Sequence, residues 1–178
     1  MPERASATPM APDLSQLAGR QHAPVHVLMV CMGNICRSPT AHGVLQKMVL
    51  DAHVQSRLEV DSAGTHDYHV GAPPDRRAQE HARRRGYDLA ALRARQLTRT
   101  DFKVFDLVLV MDAENERYAR TLCPPELRSR IHRFTAFCTA HDAREVPDPY
   151  PGGEDGFEQV LDLVEDGCRG LLARLRLT

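Results

Sequence analysis

The chain has 178 residues, a net charge of −1, 42 % hydrophobic and 26 % charged residues. That length and balance fit one soluble domain with a substantial core. They exclude a broad basic surface for nucleic acid, and no apolar run reaches membrane-spanning length. Five cysteines, an odd number, point to free thiols in a reducing, cytoplasmic setting.

Residues 1–24 carry Pro2, Pro9, Pro12 and Pro24 among small and polar residues, without the basic start and apolar stretch of a signal peptide. They read as a flexible extension outside the fold, leaving residues 25–178 as the domain. Val25 to Val30 is a valine-rich run of strand length, and the loop Cys31-Met32-Gly33-Asn34-Ile35-Cys36-Arg37 follows it. Ser38 and Pro39 read as a helix start, with a hydroxyl N-cap and then proline at the first helical position. Thr40 to about Ala52 carries Val44, Leu45, Met48 and Val49 at helical spacing. Arg57 to Ser62 alternates like a second strand and turns at Ala63-Gly64. Residues 66–74 are an irregular loop rich in histidine, glycine and proline, and Asp75 to Arg85 is a helix stopped at Gly86.

Phe105 to Met111 is nearly continuous and apolar, as a buried parallel strand should be. Asp112 opens a helix to about Leu122, which Pro124-Pro125 ends, and Arg130 to Phe134 is a last short strand. Residues 138–156 are loop, and Gly156 to Leu175 is an amphipathic helix. Strands alternating with helices imply an α/β, three-layer αβα single domain around a parallel sheet. In such sheets ligands bind beyond the carboxyl ends of the strands, where the Cys31 loop lies.

A loop that enters a helix N-terminus presents several N–H groups and a positive dipole end, which suit an anion and favour a thiolate. Cys-x5-Arg alone means little, since Cys138 to Arg144 and Cys168 to Arg174 match it too. Only the Cys31 match has a strand before it, a helix after it, and Gly33 and Asn34 inside it, which tolerate positive φ. His66 and His69 lack ligand-spaced partners, so no metal site is expected.

Cys31 to Pro39 resembles the phosphate loop of the low-molecular-weight protein tyrosine phosphatases. Asp61-Ser62-Ala63-Gly64-Thr65, Ala94-Arg95-Gln96, Met111-Asp112-Ala113-Glu114-Asn115 and Asp148-Pro149-Tyr150 are similar to family segments in the family order. The resemblance covers roughly residues 25–176. It implies a central four-stranded parallel sheet in the order 2-1-3-4, with the phosphate loop between the first strand and first helix.

The resemblance also implies roles. Cys31 attacks phosphorus, Arg37 forks onto two phosphate oxygens, and Asp148 is general acid and then base. Met32, Gly33, Asn34, Ile35, Cys36 and Ser38 belong to the phosphate loop, where Ser38 also hydrogen-bonds the leaving thiolate. Asn34 and Ser62 hydrogen-bond together and hold the loop open, while Asp112 and Asn115 cap a helix and support the site. Tyr68 and Tyr150 are the walls of a slot deep enough to exclude phosphoserine. Cys36 is open between a packing residue and a reversible disulfide partner of Cys31. No cofactor is implied. The expected partner is a phosphotyrosine protein such as a bacterial tyrosine kinase or an exopolysaccharide-assembly protein, met by a monomer or weak dimer.

Three rival readings weigh less. Arsenate reductases on this fold add relay cysteines, but none lies between Cys36 and Cys123. Phosphoarginine phosphatases carry threonine in the place of Ile35. A dead binding module would not need Cys31, Arg37 and Asp148 together. Pro151, Leu92 and Tyr68 depart from residues common in the family and bear on fine substrate preference rather than on the reaction.

Overall fold

The computed structural model describes residues 9–178. Its strands are β1 (Val25–Cys31), β2 (Leu58–Gly64), β3 (Leu107–Val110) and β4 (Ile131–Arg133). Among the described residues they form one parallel sheet in the order β2-β1-β3-β4, so β1 and β3 are central. The helices are α1 (Ser15–Ala18), α2 (Arg37–Asp51), α3 (Arg76–Arg84), α4 (Asp101–Val104), α5 (Ala113–Leu122) and α6 (Glu154–Arg174), with 3-10 turns at Pro125–Arg130 and Phe134–Phe137. No helix among them is long and apolar enough to cross a membrane.

Side-chain alternation on β1 builds two cores. Val25, Val27 and Met29 pack with α2 and α6 residues such as Val44, Leu45, Leu161 and Leu171. Leu28 and Val30 face the other way, toward Phe102, Phe105 and Ala119 of the α4–α5 side. Covering both faces is why the strand is apolar from Val27 to Cys31, with half-buried His26 its one polar residue. The result is the three-layer arrangement expected from the element order.

The extension departs from expectation. Its first eight residues lie outside the described residues, but Leu14 and Ala18 are buried and Leu14 joins the larger core. Arg20 then clamps the Asp106 carboxylate with two hydrogen bonds of 2.9 and 3.0 Å. Residues 14–20 are thus docked on the domain rather than outside it.

One buried acid organises the connection between β4 and α6. Asp166, on α6 and 2 % exposed, accepts hydrogen bonds from the backbone N–H of Thr139, Ala140 and His141, and its carboxylate meets the His141 ring at 2.8 Å. Burial alone would raise its pKa, but these donors outweigh it and hold the carboxyl at about 2, against 3.8 when unstructured. A carboxyl depressed in the folded state stabilises fully above its unfolded pKa and loses that contribution as pH falls through the folded one. Asp166→Asn should therefore cost about 2 kcal/mol at pH 7, about half of which disappears at pH 3. Urea unfolding at both pH values measures this, and a cost independent of pH would contradict it.

Candidate active site

The Cys31 loop leaves β1 at its carboxyl end and turns directly into α2. Asn34 takes a left-handed φ of 56°, as an Asn-containing anion loop allows, but Gly33 does not. Gly33 is needed for space, because a Cβ there would lie 3.0 Å from the His69 ring. Gly64 serves the loop from β2, since its Cβ would stand 2.7 Å from the Met32 carbonyl and 3.1 Å from the Asn34 nitrogen. The N–H groups of Gly33 to Cys36 have no acceptor among the described residues, which leaves them available to an anion.

Ser38 is not the N-cap. Helix α2 begins one residue earlier, at Arg37, with Cys36 in the cap position and no side-chain cap. That frees the Ser38 hydroxyl, whose oxygen sits 3.0 Å from Cys31 Sγ and accepts a 2.8 Å hydrogen bond from Asn34 Nδ2. The Asn34 amide orientation follows from its other partner, the Arg95 backbone N–H, which can only donate and so faces Oδ1 at 3.0 Å. With Asn34 donating to its oxygen, Ser38 can direct its proton to the Cys31 sulfur, the Ala63 carbonyl at 3.5 Å being the longer alternative. Ser62 does not join this chain. Its hydroxyl meets His42 Nδ1 at 3.0 Å, so the expected Asn34–Ser62 hydrogen bond is replaced by one from Asn34 to Ser38. The reason is geometric, since α2 carries both Ser38 and His42 along the β2 edge.

Arg37 is 3 % exposed and donates to Asp112 Oδ2 at 2.6 Å and to the Val146 carbonyl at 3.1 Å. Burial works against its charge, but the Cys31 sulfur, the Asp112 carboxylate and Asp148 outweigh it and keep the guanidinium firmly protonated. Asp112 also caps α5 by accepting the Asn115 N–H at 2.8 Å, so one carboxylate fixes both the helix and the arginine. The Asn115 side chain itself is buried, with Oδ1 lacking a hydrogen-bond partner among the described residues.

Over this loop lies a slot of about 150 Å³. Cys31, Met32, Gly33, Ile35, Cys36 and Arg37 form its floor, and Tyr68, His69, Asp148 and Tyr150 its sides. Tyr68 and Tyr150 are well exposed at the rim, and the Asp148 carboxylate accepts the Tyr150 N–H at 3.1 Å. Cys36 packs with Ile35, Ala78 and Phe157. Burial pushes its thiol pKa well up, and the charges of Asp75, Cys31 and Asp148 add to that, so it stays neutral. The two other Cys-x5-Arg matches end on inert thiols. Burial raises Cys138 to about 12 and pushes Cys168 up as well. All five cysteines are free. No cluster of three metal-ligating side chains occurs among the described residues.

Comparison with known proteins gives this arrangement a family. Residues 26–178 match the family model described as low molecular weight phosphotyrosine protein phosphatase. The chain belongs to that phosphatase family. The low molecular weight protein-tyrosine-phosphatase of Streptomyces coelicolor is 42 % identical over 153 residues, covering 84 % of this chain and 93 % of that protein. A crystal structure of the protein tyrosine phosphatase from Entamoeba histolytica, with Hepes in its active site, superposes with a TM-score of 0.83 at 39 % identity, covering 85 % of this chain and 97 % of that one. That of YfkJ from Bacillus subtilis gives 0.82 at 36 % identity, covering 89 % and 98 %. The protein is accordingly a protein-tyrosine-phosphatase, a hydrolase.

The phosphatase slot has two supports that sequence patterns did not single out. His69 lines it directly, where a loop histidine was expected. Arg77 acts from α3. It is held by the Asp75 carboxylate, whose own N–H binds the Ile35 carbonyl, and it donates to the carbonyls of Tyr150 and Gly152 at 3.0 and 3.3 Å. Its guanidinium also lies 4.7 Å from the Phe157 ring centroid and 5.5 Å from that of Tyr150. Arg77 therefore ties the Asp148-Pro149-Tyr150 turn to the phosphate loop. Arg77→Ala should lower kcat/KM on p-nitrophenyl phosphate by about tenfold or more, because a small misplacement of reacting groups is costly. Arg77→Lys should not rescue it, lacking the planar fork. Full activity in the lysine variant would remove this role.

Proposed function

We propose that the protein hydrolyses phosphotyrosine through a phosphocysteine on Cys31. The observation that carries the reading is that Cys31, Arg37 and Asp148 share one slot whose rim is aromatic. The thiolate attacks phosphorus in line as the aryl oxygen departs, and the Asp148 carboxylic acid gives that oxygen its proton. Arg37 and the loop N–H groups bind the phosphoryl oxygens as charge develops on them. In the second step the Asp148 carboxylate takes a proton from water, the water oxygen attacks phosphorus, and the S–P bond breaks. The Ser38 hydroxyl donates to the departing thiolate, and inorganic phosphate leaves. No metal ion or cofactor is required in this scheme, since Arg37 and the loop dipoles offset the charge.

The Hepes molecule in the Entamoeba active site supports an anion cradle of this kind, because Hepes carries a tetrahedral sulfonate. Ile35, an apolar floor residue beside Cys36, favours an aryl ester over a phosphoguanidinium group. The substrate class is a phosphotyrosine protein in the cytoplasm, such as a bacterial tyrosine kinase or an exopolysaccharide-assembly protein. A panel of phosphotyrosine, phosphoserine and phosphoarginine peptides with arsenate tests the reading. Hydrolysis of the phosphotyrosine peptide alone is expected, with no arsenate reduction. Equal rates on phosphoserine, or a preference for phosphoarginine, would overturn it.

A further inference from the structure

Beside the slot lies a second hollow that the hydrolytic chemistry leaves unused. It encloses about 390 Å³, more than twice the slot itself. Met32 belongs to the walls of both, and is 38 % exposed between them. Along the same boundary Tyr68 of the slot and His66 of the hollow are in edge contact, with ring centroids 5.1 Å apart. The two cavities are therefore neighbours across a shared wall.

The far wall is α5, which contributes Glu114, Arg117, Tyr118 and Thr121. Its character is aromatic and neutral. The His66 and Tyr118 rings lie 6.2 Å apart. Glu114 and Arg117, one turn apart and both exposed, form no ion pair among the described residues, and their opposite charges give a visiting charge of either sign little advantage. At the base, Asn115 is 2 % exposed and its Oδ1 has no donor among the described residues. That atom lies beneath the lining with almost no accessible surface, so the hollow offers a ligand its aromatic faces rather than this acceptor.

We propose that this hollow is a subsite for a residue flanking the phosphotyrosine in the substrate chain, and that it takes an uncharged aromatic side chain. The inference rests on the phosphotyrosine reading above. The Cα atoms of consecutive residues are about 3.8 Å apart, so a flanking side chain starts within reach of the shared wall once the phosphotyrosine fills the slot. A flat side chain then lies against His66 and Tyr118.

The test uses phosphotyrosine peptides that differ only in the residues flanking the phosphotyrosine, with glycine, aspartate, glutamine or tryptophan on either side. For the wild-type protein kcat/KM should be about tenfold higher with tryptophan than with glycine, glutamine or aspartate on one of the two sides. Thr121→Trp, which fills the hollow from its exposed end, should bring the peptides to a common value, and Tyr118→Ala should do the same by removing a wall. Rates are normalised to p-nitrophenyl phosphate, which has no flanking residue, and melting temperatures are recorded for each variant. Equal kcat/KM across the wild-type panel, or an advantage that survives both substitutions, would overturn the subsite. Failure to hydrolyse any phosphotyrosine peptide would instead strike at the phosphotyrosine reading itself.

Discussion

Cys31→Ser should lower the turnover of p-nitrophenyl phosphate by at least about 10⁴-fold, as removal of a nucleophile does in other covalent hydrolases. A serine hydroxyl is almost wholly protonated at neutral pH, and no base stands beside it. Its hydrogen-bond partner among the described residues is the Ser38 hydroxyl, a neutral group and no general base. The anion site should survive, because Arg37, its Asp112 partner and the loop backbone are untouched. Binding of phosphate or a phosphotyrosine peptide, followed by calorimetry, should change by less than the rate does. Folding should also persist, since the exchange is nearly isosteric at a position 2 % exposed. A serine variant within tenfold of wild type would remove Cys31 from the reaction and leave Cys36, the other slot thiol, as the group to explain. That is chemically unpromising, because burial and three neighbouring negative groups hold Cys36 neutral.

What could be read from the chain divides along physical lines. β1 and β3 were legible because a strand covered on both faces must be largely apolar, and Leu107–Val110 and Val25–Cys31, with His26 its one polar residue, are. Asp112 was legible as a cap because capping is local, reaching the N–H three residues on. Ser38 looked like a cap for the same reason, yet the sulfur and Asn34 compete for its hydroxyl and the helix starts before it. Leu14 was hidden because Leu14, Leu17 and Ala18 make too short a pattern between prolines and polar residues to announce a packed helix, and its burial depends on where the chain returns to the sheet. Arg77 and Asp166 were hidden for a related reason. Arg77 finds Tyr150 73 residues away, and Asp166 finds its donors 25 to 27 residues back, so no local pattern announces either. The chemistry of the site was concentrated in one loop. Its supports came from segments spread along the rest of the chain.

Asp148 gives the second large effect, and asparagine is the informative replacement. The Tyr150 N–H can still donate to the amide oxygen, so the turn that Arg77 grips should keep its shape while the exchangeable proton is lost. For phenyl phosphate or a phosphotyrosine peptide, whose leaving oxygen needs protonation, kcat should fall by about 10²- to 10⁴-fold. With 2,4-dinitrophenyl phosphate the leaving group departs unaided, so phosphorylation of Cys31 should stay comparatively fast. Hydrolysis of the phosphocysteine would still lack its base. Rapid mixing should then show a burst of dinitrophenol close to one equivalent per enzyme, followed by a slow steady state. A uniform loss across all leaving groups, with no burst, would mean that Asp148 shapes the rim and does not move a proton. The steady rates of Arg77→Ala should show the same leaving-group dependence in weaker form, because its fault is to leave that carboxyl loosely placed.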